Sequence, residues 1–256
     1  MKFKSILLMG MPRSGTSWLS QIFDSHPSVR FKLSPLFSYR FKNIVGKEST
    51  QKEWIDFLHK VYNTEDEFMD QAYRRRAGEY PIFENKDKNP RFLAIKDTRY
   101  HNLARKMLQI IPDVKIIYIV RNPCGAIYSW LTAPKEFPKG ADPWKEWRSG
   151  ACRKTAPEEF WGFDDWKVVT SIYMKLQEEY SRQIKIIQYE DLVDDVERIT
   201  KELFKFIGLK IKKQTYKFLI ESQSFYHPNE YAVYKDPGVK HKWKKGLDKK
   251  IVEKIY

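Results

Sequence analysis

Near its N-terminus the chain reads Phe3-Lys4-Ser5-Ile6-Leu7-Leu8-Met9-Gly10-Met11-Pro12-Arg13-Ser14-Gly15-Thr16-Ser17-Trp18-Leu19-Ser20-Gln21-Ile22-Phe23, and no other stretch narrows the fold so much. The apolar run ending at Gly10 predicts a buried parallel strand; the periodic Trp18, Leu19, Ile22 and Phe23 predict a helix. Between them Gly10 and Gly15 stand at the spacing of a phosphate loop, in which backbone N–H groups and a helix N-terminus together cradle an anion. The usual loop ends in Gly-Lys-Ser/Thr. Here Thr16 occupies the position of the Lys, and Arg13, inside the loop, is its strongest cation. A phosphate-loop kinase needs that Lys and a Ser/Thr on Mg²⁺, so a kinase is the weaker reading of this loop.

Pro12-Arg13-Ser14-Gly15-Thr16-Ser17-Trp18-Leu19 resembles, position by position, the 5′-phosphosulfate loop of sulfotransferases that use 3′-phosphoadenosine 5′-phosphosulfate (PAPS). A strand predicted at Val114 to Val120 leads into Arg121-Asn122-Pro123 and a helix carrying Ser129, which resembles the 3′-phosphate motif of the same family. An Arg at a strand end can make a forked contact to a phosphate, and the Ser donates a hydroxyl. After a strand predicted at Ile184 to Gln188, Tyr189-Glu190-Asp191-Leu192 resembles the family's Tyr-Glu-Asp stretch, whose Tyr reaches the adenine. Near the C-terminus only Gly238 and Trp243 align with the family's loop over the 3′-phosphate; Asp236 and Pro237 replace its Arg-Lys, leaving the contact to Lys235, Lys240 or Lys242. The resemblance spans nearly the whole chain and is strongest at 6–27, 92–130 and 184–208. It implies a nucleotide site made by Pro12, Arg13, Ser14, Gly15, Thr16, Ser17, Trp18, Arg121, Ser129, Tyr189, Gly238 and Lys240.

The predicted strand Phe92 to Thr98 ends in polar groups, as a central strand does when it delivers side chains to a ligand crevice. Lys96 matches the Lys of the family's Lys-Thr-His, which assists the bridging oxygen. Thr98 stands where the His base would be. The tyrosylprotein branch instead uses a Glu soon after Ser-His-Pro, but after Ser25-His26-Pro27 this chain reads Lys32-Leu33-Ser34-Pro35. Asp97 and His101 are the nearest titratable groups and the candidate bases, against the plainer readings of a helix-start and a helix-surface residue. His26 reads as a structural cap.

With 256 residues the chain suits one large α/β domain. Its net charge of +14 suggests an anionic partner or simply a Lys-rich surface, but the basic residues do not cluster with aromatics as a nucleic-acid module requires. Two cysteines, Cys124 and Cys152, make no disulfide framework and, with five histidines, show no zinc spacing. Neither a signal peptide nor a span of membrane length is visible, so a cytoplasmic protein is expected. Residues 31–42 read as a connection, 51–77 as one or two helices, 78–91 as a loop, 103–111 as a helix, 167–182 as a long helix, and 197–207 as another. Residues 131–166, punctuated by Pro134, Pro138 and Pro143 and crowded by Trp144, Trp147, Phe160, Trp161, Phe163 and Trp166, read as a lid or as a satellite core beneath a long loop. The last ten residues suggest a helix that continues past Tyr256.

The expectation is a single domain over 1–256: a mainly parallel central sheet flanked by helices, of nucleotide-kinase-like phosphate-loop architecture. The expected reaction moves the sulfuryl group of PAPS to a hydroxyl acceptor, a small molecule or carbohydrate, with Arg13 and Lys96 at the transferring group and no metal. A Mg²⁺-dependent kinase and a non-catalytic nucleotide-binding protein are the alternatives.

Overall fold

The structure, a computed structural model, describes residues 2–225, 227, 229, 231–234 and 236–256. Five strands, β1 (Lys4–Met9), β2 (Val29–Leu33), β3 (Phe92–Asp97), β4 (Lys115–Val120) and β5 (Ile184–Gln188), form one sheet in the order β2-β3-β1-β4-β5. Every pairing is parallel, with Met9 beside Asp97 on one side and beside Tyr118 on the other. The chain leaves central β1 for β2 and β3, then crosses to β4 and β5. Connections from β1 and β4 therefore diverge, opening a crevice at the strand C-terminal ends.

Both faces of the sheet are covered, which is why its three central strands, β1, β3 and β4, are mostly apolar. Side chains alternate across a strand, so Leu7 and Met9 of β1 join one core with Trp54, Ile116 and Tyr173, while Ile6 and Leu8 join the opposite core with Phe23, Ile117 and Phe204. Each such aliphatic side chain withdrawn from water contributes about 1.5–3 kcal/mol. Helices Gln51–Asn63 and Gly162–Glu179 cover the first face; Thr16–Asp24 and Val196–Ile207 cover the second. Among the described residues no helix is long and apolar enough to cross a membrane.

Three segments depart from expectation. Val29–Leu33 is an edge strand where a connection was expected from Phe31. Its charges made it look like a loop, yet they are satisfied sideways: Arg30 donates to the Tyr62 carbonyl at 2.7 Å, and buried Lys32 pairs with Asp70 at 2.6 Å. The helix expected over 103–111 is a 3₁₀ turn, His101–Leu103, followed by the helix Ala104–Ile110. The long helix starts at Gly162, not at 167, because the Asp165 carboxylate accepts the Trp161 N–H at 2.8 Å. Residues 131–166 hold the helix Pro143–Ser149, and Trp147, Trp161 and Phe163 pack with Trp130 into a separate small core. That core supports part of the crevice wall.

Candidate active site

The turn from β1 into the helix Thr16–Asp24 is shaped by two glycines. A Cβ on Gly10 would lie 2.8 Å from the Ile119 carbonyl oxygen, and one on Gly15, where φ is +89°, would lie 2.5 Å from the Tyr189 ring. Arg13 also sits at positive φ, 68°, a conformation unfavourable for a side chain with a Cβ and a frequent mark of functional sites. The first helix bond is Leu19 N to Gly15 O at 3.1 Å, so the N–H groups of Gly15, Thr16, Ser17 and Trp18 remain for a ligand. Ser14 differs: its N–H is spent on the Met11 carbonyl and its hydroxyl is buried without a partner among the described residues.

These N–H groups open onto a crevice of about 630 Å³, lined on one side by Pro12, Arg13, Gly15, Thr16, Ser17 and Trp18 and at its base by Lys96, Arg121 and Tyr189. The two motifs that stand far apart in the sequence meet here. Arg13 Nε donates to Ser129 Oγ at 3.1 Å, and Arg121 Nη1 donates to the Arg13 carbonyl at 2.9 Å. The helix Pro123–Leu131, which carries Ser129, is capped by Asn122, whose side chain accepts the Cys124 N–H at 3.0 Å. The Arg121 guanidinium lies 4.6 Å from the Tyr189 ring centroid, and its Nε is buried without a partner among the described residues. Burial depresses its pKa against the pull of Tyr189 and Glu190. A buried, half-satisfied guanidinium of this kind is completed by an anion.

Lys96 projects from the end of β3 into the same crevice, and among the described residues no hydrogen bond or ion pair holds its ammonium. Burial lowers its pKa to about 8, only partly opposed by Asp97 and Glu136. An anion in the crevice favours its charged form.

The two candidate bases are not brought to the crevice. Asp97 Oδ1 accepts the N–H groups of Thr98 and Arg99 at 2.8 and 2.9 Å and the Ser34 hydroxyl at 3.1 Å, so its carboxylate closes the strand end. His101 is buried in the opposite layer, edge-on to Phe160 and Tyr173, with Nδ1 3.2 Å from the Tyr173 hydroxyl. Burial depresses its pKa to about 3. Its turn is a 3₁₀ turn folded onto the core, so the ring does not follow Thr98 toward the ligand side. His26 acts as a cap: its Nδ1 accepts the Ser28 N–H at 3.0 Å and its Nε2 lies 3.1 Å from the Lys210 carbonyl.

Of the C-terminal basic residues, Lys240 pairs with Asp194 on the outside of the crevice, and the Gly238 N–H is taken by Asp236 at 2.7 Å; Lys242 lines the crevice in their place, and Lys235 lies outside the described residues. Of the far wall, sequence reasoning reached only the segment 131–166, read as a lid or a satellite core, which supplies Glu136, Arg153 and Trp161 without any of them being singled out as a site residue. Phe37, Phe68, Tyr73 and Arg99 line it from segments that carry no motif. Among the described residues no three His, Cys, Asp or Glu side chains converge as a metal ion requires.

A family model described as the sulfotransferase family matches residues 5–213. The chain belongs to the sulfotransferase family. No curated protein sequence matches it. Solved structures similar to this sulfotransferase include mouse sulfotransferase SULT7A1 complexed with PAP, with a TM-score of 0.59, 15% identity, and coverage of 100% of this chain and 82% of that one. The sulfotransferase domain of the Synechococcus PCC 7002 olefin synthase follows, with a TM-score of 0.51, 16% identity, and coverage of 99% and 92%. Retinol dehydratase in a complex with retinol and PAP has a TM-score of 0.52, 12% identity, and coverage of 98% and 78%. At these identities the likeness is one of fold.

Proposed function

We propose that this sulfotransferase moves the sulfuryl group of PAPS to a hydroxyl on a small molecule or carbohydrate. The observation that carries the reading is the junction of the two motifs: Arg13 and the free N–H groups of the loop stand directly beside Arg121 and Ser129, so one nucleotide with a 5′-phosphosulfate and a 3′-phosphate spans both. The relatives bound to PAP support the same donor. In the reaction the attacking hydroxyl oxygen forms a bond to sulfur as the bond from sulfur to the bridging phosphate oxygen breaks. The nucleotide leaves as adenosine 3′,5′-bisphosphate (PAP) with the bond's electron pair. Arg13, Lys96 and the loop amides hold the negative charge that grows on the bridging oxygen. Tyr189, packed against Gly15 and under Arg121, forms the floor on which the adenosine end rests. The free thiols of Cys124 and Cys152 support a reducing compartment, the cytoplasm.

Thermal unfolding with PAP and with adenosine 5′-phosphate tests the site. A ligand that binds only the native state raises its melting temperature, and the reading expects a much larger rise from PAP. Equal rises would remove Arg121 and Ser129 from phosphate recognition. Transfer of labelled sulfuryl from PAPS to a panel of phenols, alcohols and sugars then tests turnover.

A further inference from the structure

The sulfuryl-transfer reading leaves the acceptor's proton without a destination, since Asp97 and His101 are turned away from the crevice. Of the described crevice residues two carry carboxylates, and Asp236 has already committed one oxygen to the Gly238 N–H. The other is Glu136. Neither of its oxygens accepts a hydrogen bond: Oε1 lies 3.7 Å from Arg13 Nη1, and Oε2 is buried without a partner among the described residues. A carboxylate normally gathers several donors when it is withdrawn from water, and leaving one unsatisfied is costly.

The backbone that presents this carboxylate is held firmly. The Glu136 N–H donates to the Ala133 carbonyl at 3.0 Å, and its own carbonyl accepts the Trp130 indole N–H at 3.4 Å. Trp130 belongs to the small aromatic core, and the neighbouring Phe137 packs edge-on against it with ring centroids 5.3 Å apart. A pinned carboxylate with open oxygens, beside the arginine that marks the transferring group, lacks one thing, a hydrogen-bond donor from the ligand.

Resting on the sulfuryl-transfer reading, we infer that Glu136 is the general base that deprotonates the acceptor hydroxyl. As the acceptor oxygen bonds to sulfur, its proton passes to a Glu136 oxygen; the sulfur–oxygen bond of the donor breaks, and the electron pair departs on the phosphate. The products are a sulfate monoester, PAP and a protonated Glu136, which returns its proton to water. Its contact with Arg13 joins the two walls of the crevice, the cation toward the donor and the carboxylate toward the acceptor.

The test compares wild type, Glu136→Gln and Glu136→Asp with labelled PAPS and three acceptor probes: 2-naphthol, un-ionised at neutral pH; pentafluorophenol, already ionised; and water alone. A general base contributes on the order of 10²–10⁴-fold, so Glu136→Gln is expected to lose that much kcat with 2-naphthol and far less with pentafluorophenol, which brings no proton to remove. The acidic limb of the kcat profile with 2-naphthol disappears in Glu136→Gln and persists, at a lower rate, in Glu136→Asp. The melting-temperature rise with PAP stays as in wild type, which shows the variant folded. Equal losses with both phenols, an unchanged acidic limb, or a change confined to the KM of PAPS would overturn the inference and leave Glu136 as a tether for Arg13. A wild type that binds PAP yet turns over no PAPS with any of the three probes would overturn the sulfuryl-transfer reading itself, and the base with it.

Discussion

The donor wall and the acceptor wall of the crevice are built in different ways. The donor wall consists of contiguous residues: Pro12 to Trp18 in one turn, Arg121 and Ser129 at the two ends of the next strand–helix junction, and Tyr189 at the third. Its groups are set by backbone geometry, by positive φ at Arg13 and Gly15, and by N–H groups that the helix leaves open. The acceptor wall is assembled from side chains of Phe37, Phe68, Tyr73, Arg99, Glu136, Arg153 and Trp161, on turns and short helices. Two cations of that side are occupied: Arg99 pairs with Glu159 at 3.1 Å and lies 3.8 Å from the Phe37 ring centroid, and Arg74, which also lines the crevice, pairs with Glu79 at 3.0 Å. Arg153 lies 5.5 Å from the Trp161 ring centroid, with its Nε buried without a partner among the described residues. A phosphate always presents the same oxygens, so its cradle is made of backbone; an acceptor varies, and its wall is made of side chains that can be exchanged without disturbing the sheet.

The strongest way to break this comparison is Arg13→Ala. On the donor-wall account it removes charge where the bridging oxygen becomes negative, and kcat at saturating donor falls on the order of 10²–10³-fold while PAP binding weakens far less. Retention of full turnover would mean that the loop holds phosphate only.

Gly15→Ala comes next. The left-handed backbone alone costs about 1–2 kcal/mol with a Cβ present, and Tyr189 must also move from a position 2.5 Å away. The expected result is a lower melting temperature without ligand and a large loss of the PAP-induced rise, read in one thermal-shift series. An alanine variant with an undiminished PAP response would show that the cradle tolerates a wider turn.

Trp161→Ala tests the opposite wall. Trp161 lies 5.4 Å from Trp130 in the small core and also faces the crevice. Removing it is expected to lower stability and to raise the KM of an acceptor several-fold, leaving the PAP response near that of wild type. A matching loss of PAP binding would show that the walls are not separable.

The smallest effect is the pH dependence of Lys96. Its folded pKa, about 8, lies below the ordinary 10.5, so holding it charged opposes folding below about pH 8, and that cost is relieved as pH rises toward the ordinary value. The donor reverses the preference, because its anion stabilises the ammonium. Binding PAP above about pH 8 therefore takes up a proton, and affinity weakens gradually as pH rises further. Calorimetric titration in two buffers of different ionisation enthalpy measures the uptake; identical heats in both, above that pH, would remove Lys96 from contact with the nucleotide.

The donor wall was legible in the sequence because each of its parts is local. A strand ending in Gly10, a turn that only Gly15 fits and an Arg at the end of β4 are properties of a few consecutive residues, and so is the apolar period that builds the parallel sheet around them. Even there, locality had limits. Lys240 and Gly238 share a motif with the crevice loop, yet whether a side chain points to a phosphate or to Asp194 depends on the angle at which that loop packs.

What only the tertiary structure decided is which groups share the crevice. Asp97 and His101 follow Lys96 closely in the chain, but the carboxylate lies outside the crevice with Oδ1 accepting neighbouring N–H groups, and the imidazole is buried against Tyr173. Glu136 lies far from Arg13 in the chain and stands 3.7 Å from it in space. Sequence by itself determined the sheet, the phosphate loop and the meeting of nucleotide motifs at the strand ends, since hydrophobic period and backbone conformation act over neighbouring residues. The proton acceptor was left to the packing of Trp130 and Phe137, because the position of a carboxylate opposite a remote arginine follows from how an aromatic core seats its turn and from no pattern in the residues of that turn.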